Sequence, residues 1–208
     1  MTSVLMAIKP KWCELIFSGK KTVELRKTKP KQLTPIKVYV YCTKPSQSSL
    51  FRAGGTVLSN DELYRLPNGD LRYGNSIELV LQDGVFGPSN FLNGKVVGEI
   101  ICEDIDVLTV PREPPYSIRT AATLSSACLK PEEARTYFGG NMGYAWHITG
   151  AKLYDKPKAL TDFRRVCAND LYCENCAMFN NYTNVCGNAA LVLKRAPQSW
   201  CYVEEVAG

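Results

Sequence analysis

The sequence predicts an α+β domain, on three observations. A buried-strand run, a proline-started helix and an alternating strand follow one another at the start of the chain. Further β-rich runs recur between breaks marked by Gly, Pro and Asn. A second helix is announced by Pro131-Glu132-Glu133-Ala134 and closed by Gly139-Gly140. At 208 residues, 45% apolar and 22% charged, the chain can bury one sizeable core, with room for a small appendage.

The elements follow in order. Residues 4–8 read as a buried strand. Pro10 suits the first turn of a helix, where its missing N–H costs nothing, and Trp12, Leu15 and Ile16 are expected on the inner face. Gly19 supplies the left-handed residue that ends it. Residues 22–26 alternate polar and apolar, so Thr22, Glu24 and Arg26 share one strand face and Val23 and Leu25 take the other. Same-face neighbours lie about 6.5–7 Å apart, near enough to serve one ligand. Lys21 stands at the entry to this strand.

Residues 36–41 are the next strand. Residues 44 to about 75 are rich in Ser, Gly, Asn and Pro and read as an insertion, either a lid or a surface excursion. Within it, Asn68-Gly69 predicts a hairpin between runs at 62–66 and 70–73. Residues 76–81 read as a strand, 84–93 as a loop and 95–106 as long strand material. A break at 111–115 precedes the helix from Pro131, whose first-turn acids suit the helix dipole. Residues 143–148 are a strand. After a cysteine cluster, 189–194 and 197–203 are expected as strands.

Charge is unevenly spread. Residues 1–44 hold nine Lys and one Arg against Glu14 and Glu24, a net of +8, so the remainder carries −3 of the total +5. Such a field steers anionic partners in, nucleic acid first and an acidic protein partner as the alternative. No stretch is long and apolar enough to span a membrane, and the opening residues lack a signal-peptide layout, so a cytoplasmic protein with no membrane partner is expected.

Of nine cysteines, Cys13, Cys42, Cys102 and Cys128 are scattered and read as buried thiols. The other five fall in the last 42 residues. Cys167, Cys173, Cys176 and Cys186 form C-x5-C-x2-C-x9-C, a pattern that offers four thiolates to a structural zinc. Cys201 in place of Cys167, disulfides, and a redox role for Cys173 and Cys176 stay open. The expected division is residues 1–163 as the main domain and 164–208 as a zinc-binding extension packed on it.

The stretch from Gly19 through Lys21 and Glu24 to Arg26 resembles the G-x-K-x-x-E-x-R signature of the ASCH domain family (activating signal cointegrator homology). Residues 5–12 resemble that family's opening strand and helix, and 97–100 and 144–148 its later strands, for a span of roughly 4–163. The resemblance implies a PUA-like mixed β-barrel with flanking helices, and a cleft for RNA or a modified nucleotide. Its implied binding residues are Lys9, Lys20, Lys21, Glu24, Arg26 and Lys27, with Trp12 and Trp146 as base-stacking candidates. The plainer alternatives are a sheet-surface Glu24–Arg26 salt bridge, worth about 0–1 kcal/mol, and tryptophans packed in the core.

An enzyme is the second expectation, a hydrolase on RNA or a modified nucleoside with Lys21 and Glu24 as acid and base. ASCH acetylcytidine amidohydrolases use a lysine, a threonine three residues later and a distant glutamate, while other relatives are ribonucleases. Lys21 matches the lysine, Glu24 stands where the threonine belongs, and Glu99 is a candidate for the distant carboxylate. His147, the single histidine, reads as a packed or surface residue.

Overall fold

Ser3–Ile8 form strand β1 because both of its faces are covered. Val4, Met6 and Ile8 enter one apolar cluster while Leu5 enters another on the opposite side, so the run shows no polar alternation. The computed structural model describes residues 3–43, 92–167, 176–180 and 185–205, with four short strands at 49–51, 57–59, 63–65 and 71–73.

Helix α1 spans Pro10–Phe17 with proline in its first turn. Its buried residues are Pro10, Cys13 and Ile16, so the inner face is turned from the expected Trp12-Leu15-Ile16 stripe, and Trp12 is only half-buried. Gly98 lets the helix sit close to the sheet, since a Cβ there would meet the Phe17 ring and the Lys152 carbonyl. Strand β2 is Val23–Arg26 and β3 is Ile36–Cys42. In the insertion, β4 (Ser49–Phe51) pairs antiparallel with β5 (Val57–Ser59), and β6 (Leu63–Arg65) with β7 (Leu71–Tyr73). The second ladder is the one the Asn-Gly signal predicts. The turn itself, the strand expected at 76–81 and nearly all of the loop expected at 84–93 lie outside the described residues.

Strand β8 covers Val96–Thr109. Helix α2, Ile118–Ser126, carries no apolar stripe in the sequence, because Thr120 and Thr123 occupy the buried positions beside Leu124. Its cap is legible afterwards: Ser117 Oγ accepts from Thr120 N–H at 3.0 Å. Helix α3, Pro131–Phe138, ends on Gly139 at φ +72° as expected. Strand β9 extends far beyond 143–148, from Met142 to Lys158. Strands β10 (Phe163–Arg165), β11 (Phe179–Asn180), β12 (Val185–Cys186) and β13 (Trp200–Glu205) complete the chain. Residues 189–194 are not a strand. Asn188 caps a short 3-10 turn at Ala189–Leu191 through Ala190 N–H, and only an isolated bridge joins Val192 to Arg164.

The main sheet has seven strands in the order β10-β13-β1-β3-β8-β9-β2, with β1 and β3 parallel and the other pairs antiparallel. Residues 200–205 of the C-terminal segment therefore run inside this sheet. In a flat sheet β2 would lie about 19 Å from β1, four strand spacings away. Yet Arg26 Nη2 donates to the Ala7 carbonyl at 2.8 Å. The five strands β1-β3-β8-β9-β2 are thus wrapped round until their ends meet, and a side chain bridges the gap where no ladder runs.

Three adjacent strands are also stapled across one face. Lys37 of β3 lies 2.7 Å from Glu99 of β8, and Tyr154 of β9 donates to Glu99 at 2.6 Å. Burial pushes the Glu99 carboxyl up, but hydrogen bonds from Lys37 and Tyr154 outweigh it and hold the group below its usual value. A folded pKa below the unfolded one contributes stability above the unfolded value of about 4.5, which is lost as pH falls through the folded value. Glu99→Gln should therefore flatten the acid limb of a urea-midpoint-versus-pH curve below that value. An unchanged limb would show that the staple adds no pH-dependent stability.

Candidate ligand cleft

The chain between α1 and β2 makes a tight reversal. Gly19, at φ +74°, lets its N–H reach Ile16 O at 3.0 Å, and Lys21 N–H then returns to Leu15 O at 2.9 Å. This turns the Lys21 side chain inward, where Nζ donates to the Ala127 carbonyl beyond the end of α2 at 2.6 Å and lies 3.3 Å from Glu24 Oε2. Glu24 Oε1 accepts from Arg26 Nη1 at 2.5 Å, and Arg26 also reaches Leu25 O and Ala7 O. The side chains of Lys21, Glu24 and Arg26 are 1%, 5% and 8% exposed. The surface salt bridge weighed from the sequence is therefore a buried row of charge, in which each partner is costly to leave alone.

This row lines the floor of a cleft of about 620 Å³, within the roughly 300–1,000 Å³ typical of small-molecule sites. Lys9 and Trp12 stand on the α1 side, Glu133 and Tyr137 on α3, Tyr41 and Thr43 at the end of β3, and Pro197 and Gln198 ahead of β13. The Tyr137 hydroxyl is 3.5 Å from Arg26 Nη1. Lys21 Nζ sits 5.0 Å from the centre of the Trp12 ring. Two polar atoms buried here, Glu24 Oε2 and Arg26 Nε, take no hydrogen bond among the described residues, the Lys21 ammonium standing 3.3 Å from the first as its ion-pair partner. Burial, reinforced by the neighbouring Cys42 thiol, raises the Tyr41 phenol above its ordinary value, so it stays a neutral donor.

The structure brings Lys9, Trp12, Lys21, Glu24 and Arg26 together and leaves the other expected residues outside. Lys20 is exposed and does not line the cleft. Lys27 stands at the rim, 5.8 Å from the Tyr137 ring centre. Trp146 is a correction: it pairs with Glu24 across the β2–β9 ladder but lies in the core, 1% exposed and packed edge-on to Trp200. A side chain so enclosed has no face to offer a base. Glu99 is likewise held in its staple with Lys37 and Tyr154, away from the cleft; the carboxylate that sequence reading missed is Glu133. Glu133 and Tyr137 are four residues apart on α3, a helical spacing that places both on one face. His147 lies outside the cleft lining, with Nε2 2.7 Å from Asp106 Oδ2.

Cys13, Cys42 and Cys102 are buried as expected, whereas Cys128 is half-buried with φ +55°. Cys176 precedes the β11–β12 ladder and Cys186 lies in it: Phe179 N–H returns to Cys176 O at 2.9 Å, and Phe179 pairs with Cys186. Cys173 lies outside the described residues, and among the described residues no three His, Cys, Asp or Glu side chains gather as a metal site. Cys201 packs into the Leu5–Phe163 cluster, where burial raises its thiol pKa, the opposite of what a metal ligand needs.

No family model and no curated protein matches the chain. Among solved structures, ASCH from Zymomonas mobilis is 18% identical, covering 76% of this chain and 73% of that one, with a TM-score of 0.44. A substituted form of the same ASCH protein is 17% identical, covering 97% and 88%, with a TM-score of 0.45. The likeness is loose. If the buried row holds the cleft floor together, Glu24→Ala should cost about 3–5 kcal/mol in chemical denaturation, because it leaves two buried cations without their counter-charge. A loss near the surface-pair value of about 0–1 kcal/mol would show that the row is dispensable.

Proposed function

We propose that the cleft binds RNA or a modified nucleotide, taking one base against the row of Lys21, Glu24 and Arg26. The observation that carries this reading is Glu24 Oε2 at the floor of a ligand-sized cleft, a buried carboxylate oxygen that has the Lys21 ammonium 3.3 Å away and takes no hydrogen bond among the described residues, so that it keeps acceptor capacity. Such an oxygen suits an exocyclic amine or an imide N–H of a base edge. Arg26 is engaged by Glu24 and two backbone carbonyls, so its part is to aim the carboxylate. Lys9, exposed at the mouth, is the cation left to meet a phosphate. Trp12 supplies a ring at the wall, and stacking a base there is worth about 1–3 kcal/mol.

A low-salt screen of RNA, DNA and modified nucleosides tests this. Glu24→Gln, which keeps shape and loses charge, should erode discrimination among bases. Lys9→Gln should weaken all nucleic acids alike and reduce the salt slope by about 0.7 for a single strand. Absence of binding to every probe at low salt would overturn the proposal and leave the acidic-protein partner. One observation favours an enzyme as a second reading: an ammonium and a carboxylate, Lys21 Nζ and Glu24 Oε2, stand 3.3 Å apart on the cleft floor, where both can meet one substrate as acid and base. Turnover of RNA or an acylated nucleoside, abolished in Lys21→Met with binding retained, would establish it.

We also propose that Cys167, Cys173, Cys176 and Cys186 hold a structural zinc. The turn from Cys176 to Phe179 and the pairing of Phe179 with Cys186 support it, by bringing two of the four cysteines to one small ladder. Four thiolates close the coordination sphere, so the metal would order the segment and leave no position for substrate. Metal analysis of desalted protein should find equimolar zinc, and Cys176→Ser should release it and admit protease to the segment. Folded, zinc-free protein would sink the assignment.

A further inference from the structure

The loop leaving β2 carries Lys27, Lys29 and Lys31, all exposed, and the chain holds no Asp or Glu from residue 25 to 43. The loop is held against the sheet. Trp200 Nε1 donates to Thr28 Oγ1 at 3.0 Å, Lys31 N–H donates to the Tyr202 hydroxyl at 2.7 Å, and Pro30 is buried. Its cations lie against rings. Lys27 Nζ is 5.8 Å from the ring centre of Tyr137, a cleft residue, and Lys29 Nζ is 5.7 Å from that of Tyr144, the residue opposite Arg26 on β9. A row of lysines thus leads away from the mouth of the cleft.

We propose that this loop is a phosphate track continuous with the cleft, so that the occupant is a single-stranded polynucleotide and not a free nucleotide. The proposal rests on the nucleotide reading of the cleft and adds the class of ligand. A cation at every second position of one loop offers successive phosphates of a strand separate partners. A loop pinned by Trp200 and Tyr202 presents that row already ordered, so little ordering entropy is lost on binding. Interleaved lysines and aromatic rings are the surface on which single strands are held without sequence preference.

The test compares a mixed-sequence single-stranded RNA of roughly 12 nucleotides, within the usual site sizes, with a dinucleotide. The wild type, Lys29→Gln/Lys31→Gln and Glu24→Gln are titrated by fluorescence anisotropy. Both lysine side chains are exposed, and the Lys31 link to Tyr202 runs through its backbone, so the double variant should fold. The wild type should bind the oligomer more tightly than the dinucleotide. The double variant should lose about tenfold for the oligomer, with the salt slope falling by about 1.4, and nothing for the dinucleotide. Equal affinity for both lengths, or an unaffected oligomer, overturns the track while the cleft reading stands. Loss in the double variant with Glu24→Gln silent on both probes would place the strand on the loop apart from the cleft and overturn the proposed continuity. No binding of either probe overturns both. Because Leu33 beside the track is 90% exposed, anionic vesicles are the control. Lysine-dependent binding to them without binding to RNA would assign the loop to a lipid surface and overturn the proposal.

Discussion

The row Lys21–Glu24–Arg26 is the interaction on which the rest of the molecule depends. Arg26 reaches the Ala7 carbonyl of β1 and Lys21 reaches the Ala127 carbonyl past α2. Glu24 stands between them, so one chain of charge ties β2 to β1 and to the second helix. Three buried ionised groups carry a large desolvation cost, offset only by close pairing and by the backbone carbonyls that take the remaining donors. Removing any member leaves the others without compensation, which makes the row a structural constraint as well as a chemical surface.

The wrapping of the sheet follows from it. Strands β1 and β2 share no ladder, and the seam between them is crossed by a guanidinium. Such a seam leaves a space where the fifth strand interval would be, and the cleft opens there. Apolar clusters lie to either side: Val23 and Leu25 point into the group packed under α2 and α3, while Val4, Met6 and Ile8 face the core beneath α1. The cleft is therefore a polar seam between two dry layers, with Trp12 from one side and Tyr137 from the other forming its walls.

Charge around the cleft is arranged in two tiers. Inside, Lys21 and Arg26 are matched by Glu24 and Glu133, and Lys9 remains over. Outside, the β2–β3 loop carries lysines with no acid among them. A nearly neutral interior suits recognition by hydrogen bonds, and a basic rim suits attraction and guidance of an anion.

Much of this was legible in the residues. The alternation at 22–26 placed Glu24 and Arg26 on one face, Gly19 marked the reversal that buries Lys21, and Pro131 with Gly139 bounded α3. The failures share a cause. Trp146 and Trp12 are the same residue type, and only the wrapping of the sheet covers one and half-exposes the other. Helix α2 hides because threonines fill its inner positions. Glu133, Tyr137, Pro197 and Gln198 meet the motif only because elements distant in sequence converge on the seam. Local pattern, governed by backbone geometry and by which faces are apolar, is written in the sequence itself; which of those faces become a cleft is set by long-range packing, because burial belongs to the assembled layers and to no single residue.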